Sequence, residues 1–389
     1  MAIKLNTASG SVTLTAEDGA GGASVSIPRA GVLAPDGDGS SLTGINAITD
    51  TSELTDVTVA SADPESVSNV PAAGHLWINK VSGEAFICTD ATTGANAFYN
   101  IGEGTGGVVP PVPWGDRGVF AGGYGYSNVM DYISIATPAN AVDFGDLISA
   151  KGQLASVSNG SRGVFGGSTG GSGEEMEYIT IATTGNSTDF GDMVAFKYGR
   201  AGVSDASRGV FGGGASPYSN AMDYITIATT GNATNFGTLT QSRATLGAVN
   251  GGGRGVFCGG ATATNIMDYI TIATTGNATD FGDMLAASYR LSGCSNGSRG
   301  CLSGHNKELI EYITIATTGN ATDFGDLQSG AAWDRYMMGA TSDGSKGLFG
   351  GGGNTWSQID AITIATTGNA TDFGDLTVNR RELAATSGD

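Results

Sequence analysis

From about residue 115 onward, short apolar segments alternate with turns rich in glycine and polar residues, and the same order of segments recurs six times. One segment, RGVF or a variant of it, opens each copy with a basic residue: Arg117, Arg162, Arg208, Arg254, Arg299 and Lys346. The intervals between these residues are 45, 46, 46, 45 and 47 residues. Such a regular period predicts six copies of one supersecondary unit.

Each unit divides into four predicted strands. The RGVF strand ends at glycine, and a later YITI-like strand alternates, which places Tyr132 and Ser134 on one face and Ile133 and Ile135 on the other. The phrase TTGN is typical of a hairpin turn, and DFGDL follows as a short strand. A strand of small residues, such as 246–249, then leads through a turn like NGS into the next RGVF. Four strands per unit of this length are typical of β-propeller blades.

The two ends of the repeat array predict a closed ring. The first unit begins at its second strand, whereas the last segment of the chain, 383–389 (LAATSGD), matches a first strand such as 154–160 (LASVSNG). The C-terminal strand is therefore expected to complete the first unit, which removes exposed sheet edges. An open β-solenoid is the alternative, but it would gain nothing from this offset and would need capping repeats.

The order of these phrases resembles that of kelch repeats. Where kelch proteins usually have tryptophan, this sequence has a phenylalanine in all six units: Phe144, Phe190, Phe236, Phe281, Phe324 and Phe373. In the second strand, Phe or Leu replaces the usual tyrosine. The resemblance covers all six units. It implies an all-β protein whose residues 115–389 form a six-bladed kelch-like β-propeller closed by the C-terminal strand.

The preceding residues do not carry the repeat and are expected to form small β modules. We predict a β segment at 1–48, a polar linker at 49–72, a small β-meander at 73–104 and a Gly/Pro linker at 105–114. The phrases MAIKLNTASGSVTLTAEDG and GHLWINKVSGEAFICTDATTGANAFYNIGEG resemble N-terminal parts of marine tailed-phage structural proteins of the cyanophage type. That resemblance implies a virion fibre or appendage assembled in the host cytoplasm, attached to other virion proteins through its N-terminal region, and trimeric by analogy.

The composition narrows further the classes of protein to which this chain could belong. The 65 glycines lack an every-third-residue period, which excludes collagen, and no apolar run is long enough to insert into a membrane. The net charge of −19 argues against a nucleic-acid partner. The four cysteines show no CxxC pair or metal pattern, which predicts reduced, structural thiols; they are Cys88, Cys258, Cys294 and Cys301.

The variable loops predict a binding surface. In an up-and-down blade, the loops joining the second to the third strand, and the fourth to the next first strand, emerge on one side, here called the loop face. The near-invariant TTGN and NGS turns lie on the other side, the turn face. Aromatic and basic residues concentrate in the variable loops, so we predict that they bind a host-surface glycan or protein. The candidates are Tyr126, Tyr198, Arg200, Tyr218, Arg243, Tyr289, Arg290, Trp333, Arg335, Trp356 and Arg380. For each arginine, structural hydrogen bonding is the alternative.

No pattern predicts catalysis or a cofactor. Only His75 and His305 are present, too few for a multi-histidine copper or zinc centre. The paired aspartates of DFGD supply too few oxygens for a calcium site. The sequence therefore favours a non-enzymatic, cofactor-free virion protein that binds through its loop face. A kelch-type protein-interaction module and a glycan-processing enzyme remain as alternatives.

Overall fold

The computed structural model divides into two compact units, Met1–Val109 and Pro110–Asp389. The structure describes residues 11–14, 25–28, 57–65, 68, 70, 72–80, 84–93, 95–100, 115–125, 127–170, 173–261, 264–304, 308–328, 335–353 and 356–388. All regular elements in these ranges are β-strands, which confirms the all-β prediction. Within the same ranges, no helix has the length and apolar character needed to cross a membrane. The predicted linker 105–114 lies outside the described residues, as does most of the segment 1–48.

The described residues of the first unit form two small sheets. Strands β1 (Ser11–Leu14) and β2 (Val25–Pro28) form an antiparallel pair. A four-stranded sheet has the order β3-β4-β5-β6, and its strands are β3 (Val57–Ala60), β4 (Leu76–Asn79), β5 (Ala85–Asp90) and β6 (Ala97–Asn100). Strands β4, β5 and β6 pair antiparallel in sequence order.

Strand β3 lies in the segment predicted as a polar linker, 49–72, and pairs with β4 in parallel. Its sequence, VTVA, is rich in β-branched residues, which favour extended structure. The indole Nε1 of Trp77 donates to the carbonyl of Ala62 at 3.0 Å, and Asn79 donates to Asp63 at 2.8 Å. These contacts hold the end of β3 against β4, so only part of 49–72 is a connector.

The second unit contains six four-stranded antiparallel sheets, each numbered after the repeat that forms it. In hydrogen-bonding order, sheet 1 is β30 (Ala384–Gly388), β7 (Arg117–Ala121), β8 (Ser127–Ser134) and β9 (Val142–Lys151). Sheet 2 is β10 (Ala155–Ser158), β11 (Arg162–Gly166), β12 (Glu175–Thr180) and β13 (Thr188–Asp192). Sheet 3 is β14 (Ala201–Ser204), β15 (Arg208–Gly212), β16 (Ala221–Thr226) and β17 (Thr234–Thr238). Sheet 4 is β18 (Gly247–Gly251), β19 (Arg254–Cys258), β20 (Thr264–Thr271) and β21 (Thr279–Ser288). Sheet 5 is β22 (Ser292–Ser295), β23 (Arg299–Ser303), β24 (Leu309–Thr314) and β25 (Thr322–Asp326). Sheet 6 is β26 (Gly339–Ser342), β27 (Lys346–Gly350), β28 (Trp356–Thr363) and β29 (Thr371–Arg380). The four strands predicted for each repeat are all present.

The C-terminal strand pairs with the first RGVF strand, as predicted. In the antiparallel register, Ala384 of β30 faces Ala121 and Gly388 faces Arg117. The first strands of the six sheets also contact one another in cyclic order, β10 to β14, β18, β22, β26 and β30, and β30 contacts β10. The sheets therefore have a propeller-like arrangement.

The hydrophobic cores lie between neighbouring sheets. Val119 and Phe144 of sheet 1 cluster with Phe165 of sheet 2. Sheets 6 and 1 share a cluster that includes Phe373 and Phe120. Because each core needs two sheets, no sheet can bury its apolar face alone.

The near-verbatim TTGN and DFGD phrases bind each other across sheets. The N–H of Gly185 donates to the carbonyl of Phe144 at 2.7 Å, and the N–H of Asp146 donates to Asn186 Oδ1 at 3.0 Å. Equivalent bonds recur between consecutive sheets, and between sheets 6 and 1 the N–H of Asp375 donates to Asn140 Oδ1 at 3.1 Å. The repeated phrases are thus explained by inter-sheet hydrogen bonds from backbone N–H groups to backbone carbonyls and to the side-chain oxygen of the asparagine.

The basic residue that opens each RGVF strand also joins neighbouring sheets. Arg162 donates to the carbonyls of Ile227 at 3.1 Å and Ala228 at 2.8 Å, and its guanidinium lies 4.2 Å from the ring centre of Tyr178. The other RG arginines make the same contacts with the carbonyls of the next sheet. Lys346 reaches from sheet 6 to sheet 1 in the same way. These six residues belong to the scaffold.

Candidate binding site at the mouth of the central channel

The six first strands surround a cavity of about 200 Å³, here called the central channel. At one position of each strand the residue is small and half-buried; the six are Ser156, Gly202, Ala248, Gly293, Ala340 and Ala385. Neighbouring strands approach closely there, since a Cβ added to Gly202 would lie 2.2 Å from the carbonyl oxygen of Ser156. Small side chains therefore allow six strands to pack side by side and still leave a channel.

A circuit of backbone hydrogen bonds surrounds one end of this channel, here called the channel mouth. Six equivalent residues, each just before a first strand, have left-handed backbones with φ between 52° and 63°; they are Gln153, Gly199, Thr245, Arg290, Met337 and Glu382. Each N–H donates to the carbonyl of the equivalent residue in the preceding repeat at 2.6–3.1 Å. The circuit returns to its start, because Gln153 donates to Glu382 at 2.8 Å.

This circuit explains why five residues other than glycine have a left-handed backbone at the channel mouth. A left-handed conformation is uncommon for residues other than glycine, and it persists only where the surrounding structure enforces it. Here the conformation lets every residue donate to its neighbour around the mouth. The backbone is therefore regular, whereas the side chains differ at all six positions. Because these residues precede the first strands, the mouth opens on the loop face.

Three tyrosines and two arginines, here called the Tyr/Arg arc, stand beside the mouth: Tyr124, Tyr289, Arg290, Tyr336 and Arg381. The guanidinium of Arg381 lies 4.0 Å from the ring centre of Tyr124 and 5.9 Å from that of Tyr336. The guanidinium of Arg290 lies 4.7 Å from the ring of Tyr336 and 5.3 Å from that of Tyr289. The side chain of Tyr124 is 55% exposed. The guanidinium of Arg381 also donates to the carbonyl of Gly353 at 3.2 Å and to the hydroxyl of Tyr336 at 3.4 Å. Stacking covers the faces of a guanidinium and leaves its remaining N–H groups at the edge available.

Four of the predicted ligand-binding arginines are instead buried in ion pairs: Arg200 with Asp223, Arg243 with Asp268, Arg335 with Asp360 and Arg380 with Asp131. The N···O distances are 2.8, 2.6, 2.5 and 2.5 Å. Arg243, for example, is 1% exposed and also donates to the carbonyls of Gly259 and Ile266. We therefore assign these four guanidinium groups to the scaffold. Lys151 fills the same role beside Glu177.

The acids of these pairs also join neighbouring sheets. Asp268 accepts hydrogen bonds from the N–H and the hydroxyl of Thr240 in the preceding sheet, at 3.2 and 2.6 Å. Burial raises the pKa of the carboxyls of Asp223 and Asp360, and their arginines offset part of this rise. Burial also lowers the pKa of Arg200. A charge left without its partner at these depths is therefore costly.

We expect Arg243→Met to lower the free energy of unfolding by about 3 kcal/mol, because it leaves the buried carboxylate of Asp268 unpaired. The double variant Arg243→Met, Asp268→Asn removes that charge and keeps an acceptor for Thr240, so it should recover at least about 1 kcal/mol. Urea unfolding of both variants measures the difference. Equal stability of the single variant and the unmodified chain would contradict a scaffold role for Arg243.

The sequence interpretation missed these buried acids. An Asp or Glu precedes the YIT, YIS or AIT phrase in all six repeats: Asp131, Glu177, Asp223, Asp268, Glu311 and Asp360. All six are buried. The signal was an acid next to buried Met or Ile in every copy, which predicts a paired charge.

The other candidates lie on or near the loop face. Tyr289 and Arg290 belong to the Tyr/Arg arc. Tyr198 is half-buried and packs edge-on against Phe196, with ring centres 6.1 Å apart, whereas Tyr218 is 49% exposed. Trp356 is half-buried at the start of β28. Tyr126 and Trp333 lie outside the described residues.

The cysteines and histidines offer no reactive centre in the described ranges. All four thiols are free and buried, as predicted. Burial raises the pKa of Cys301 to about 12, so this thiol is protonated at neutral pH. His75 is buried and hydrogen-bonded to Thr58 at 2.7 Å, and His305 lies outside the described residues. No group of three or more His, Cys, Asp or Glu in the part of the chain that is described is placed to hold a metal ion.

Two comparisons with known proteins identify no protein that is similar to this chain. A scan against protein-family models finds no match to the chain, and a search of curated proteins finds no similar sequence. The case for a function therefore depends on the channel mouth and the Tyr/Arg arc.

Proposed function

We propose that residues 115–389 form a closed six-bladed kelch-like β-propeller that serves as a rigid binding scaffold, with the loop face as its recognition surface. The observation that carries this proposal is the hydrogen-bond circuit at the channel mouth, with the Tyr/Arg arc beside it. Pairing of β30 with β7 and the cyclic contacts of the first strands support closure of the ring. A rigid backbone that presents different side chains is typical of recognition surfaces.

The direction of the strands favours the loop face for binding. Strand β7 begins at Arg117 and is paired there with Gly388, the last residue of β30. Both ends of the described ring therefore lie on the turn face. The channel mouth lies at the opposite ends of the first strands, away from the point where the chain enters.

The chemistry of the Tyr/Arg arc fits a glycan. Tyrosine rings stack on the apolar faces of sugars, and the fork of an arginine binds carboxylate or phosphate oxygens. We propose that the chain is a non-enzymatic, cofactor-free fibre or appendage subunit of a tailed-phage virion, assembled in the host cytoplasm. Its N-terminal region attaches it to other virion proteins, by analogy as a trimer, and its loop face binds a host-surface glycan.

Electron cryo-microscopy of the particle tests the virion part of this proposal. We expect propeller-shaped densities that project from a symmetric stalk with their loop faces outward. Specific antibodies against residues 115–389 should label the same positions. A chain that is absent from purified particles contradicts the virion assignment.

Glycan-array binding by the purified full chain tests the recognition part. We expect Tyr124→Ala, Arg381→Gln to weaken binding about tenfold or more, because it removes a stacking surface and a guanidinium. The control Thr230→Ala, Thr275→Ala changes exposed residues of the turn face and should bind normally. No bound glycan on the array would contradict the glycan proposal. Release of shortened glycans would contradict the assignment as a non-enzyme.

A further inference from the structure

Arg290 differs from the buried arginines in what its guanidinium contacts. In the described part of the chain, this group stacks on the rings of Tyr289 and Tyr336 and has no hydrogen-bond acceptor or carboxylate partner. Its own backbone belongs to the hydrogen-bond circuit, which fixes its position at the channel mouth. A guanidinium that is held in one position and has unused N–H donors can bind an anion with little loss of side-chain entropy.

Gln153 stands on the opposite side of the mouth. Counted around the circuit of six residues, it is three positions from Arg290 in either direction. Its amide oxygen Oε1 is buried and accepts no hydrogen bond from the described residues. The neighbouring position is Gly199, and a Cβ added there would lie 3.6 Å from this oxygen. The missing side chain leaves space beside an acceptor that needs a donor.

We propose that the channel mouth binds one residue of a carboxylated sugar, such as a hexuronic acid. The carboxylate would bind the guanidinium of Arg290, and a ring hydroxyl would donate to Oε1 of Gln153. This inference depends on the proposed glycan-binding function and assigns the ligand class to its site.

Size and charge favour a small monoanion. The cavity of about 200 Å³ is smaller than the roughly 300–1,000 Å³ of typical drug-sized sites, so it fits about one sugar ring. The mouth also carries the carboxylate of Glu382, whose Oε1 lies 3.8 Å from Nε of Arg381, and the whole chain has a net charge of −19. A phosphate dianion would be repelled more strongly than a carboxylate by this surrounding charge.

Titration calorimetry on the purified full chain tests the assignment. The probes are D-glucuronate, neutral D-glucose, acetate and D-glucose 6-phosphate. We expect glucuronate to bind best, Arg290→Gln to weaken its binding about tenfold to a hundredfold, and Gln153→Ala to weaken it less. The charge-matched control is Lys197→Gln, since Lys197 lies in another loop, where it donates to the carbonyl of Ser216. This control should bind glucuronate normally.

The thermal midpoint of Arg290→Gln should remain within about 2 °C of that of the unmodified chain, because the substitution keeps the backbone circuit. Equal binding of acetate and glucuronate overturns the sugar part of the inference, and tighter binding of glucose 6-phosphate overturns the carboxylate part. If the array shows loop-face binding of neutral glycans only, and glucuronate does not bind, the inference fails while the proposed function stands. If no glycan binds at all, both fail.

Discussion

Removal of residues 384–389, which include strand β30, is expected to abolish the cooperative unfolding of Pro110–Asp389. Strand β30 is the first strand of sheet 1 and also contacts β10 and β26, so its loss uncovers an edge of one sheet and the sides of two others. The hydroxyl of Ser158 donates to the carbonyl of Ser387 at 2.9 Å, and the hydroxyl of Ser387 donates to that of Ser342 at 2.7 Å. We expect a loss comparable to the whole stability of a domain, about 5–15 kcal/mol.

Thermal unfolding followed by circular dichroism, together with limited proteolysis, measures this loss. A chain that lacks only Asp389 is the matched control, because β30 ends at Gly388. A synthetic peptide with the sequence LAATSGD, added in excess, should partly restore protease resistance. An unchanged melting curve for the truncated chain would contradict closure of the ring by β30 and favour the open solenoid.

The order of the strands in each repeat could be predicted because each strand has a local sequence pattern that recurs along the chain. TTGN and DFGD recur since each phrase bonds to the other in the neighbouring sheet, as Asn186 does with Asp146. The pairing of β30 was visible for the same reason, because LAATSGD aligns with a first strand. By contrast, β3 was missed because a single short run of β-branched residues lies within a polar segment and has no repeat to support it.

The channel mouth could not be predicted from residue types. Its six residues share a left-handed backbone and a hydrogen-bond circuit, yet their side chains range from none at Gly199 to a guanidinium at Arg290. Five of them are not glycine, so the usual signal for positive φ is missing. The conformation is set by tertiary closure, which a local pattern does not record.

Position relative to the first strand accounts for some, but not all, of the structural cations in the variable loops. Arg243 lies three residues before Leu246 and is buried beside Asp268, whereas Arg290 lies one residue before Leu291 and stands at the mouth. The offset of three recurs at Lys151, which lies before Leu154. The sequence places all these residues in variable loops, so composition alone could not separate scaffold from candidate site. Arg200 departs from this offset, because it occupies the position of the leucine itself and is still paired with Asp223.

The glycine of the DFG phrase, which reads NFG in the third repeat, is expected to tolerate no side chain, and Gly237→Ala should lower the free energy of unfolding by about 4 kcal/mol. Gly237 has a φ of +152°, and an added Cβ would lie 2.1 Å from the carbonyl oxygen of Gly276 in the next sheet. The strained backbone costs about 1–3 kcal/mol, and the overlap, which only a backbone shift relieves, costs about 1–3 kcal/mol more.

Gly276→Ala is the matched control, because it changes the other partner of the same contact. An added Cβ at Gly276 meets nothing within 4 Å, and its backbone is outside the left-handed region, so we expect a change below about 1 kcal/mol. Urea unfolding of the two variants compares them directly. If Gly276→Ala were the more damaging of the two, the TTGN turn would need its own glycine for another reason. The close approach of turn and strand would then not explain why the Phe-Gly pair of this phrase is repeated in all six units.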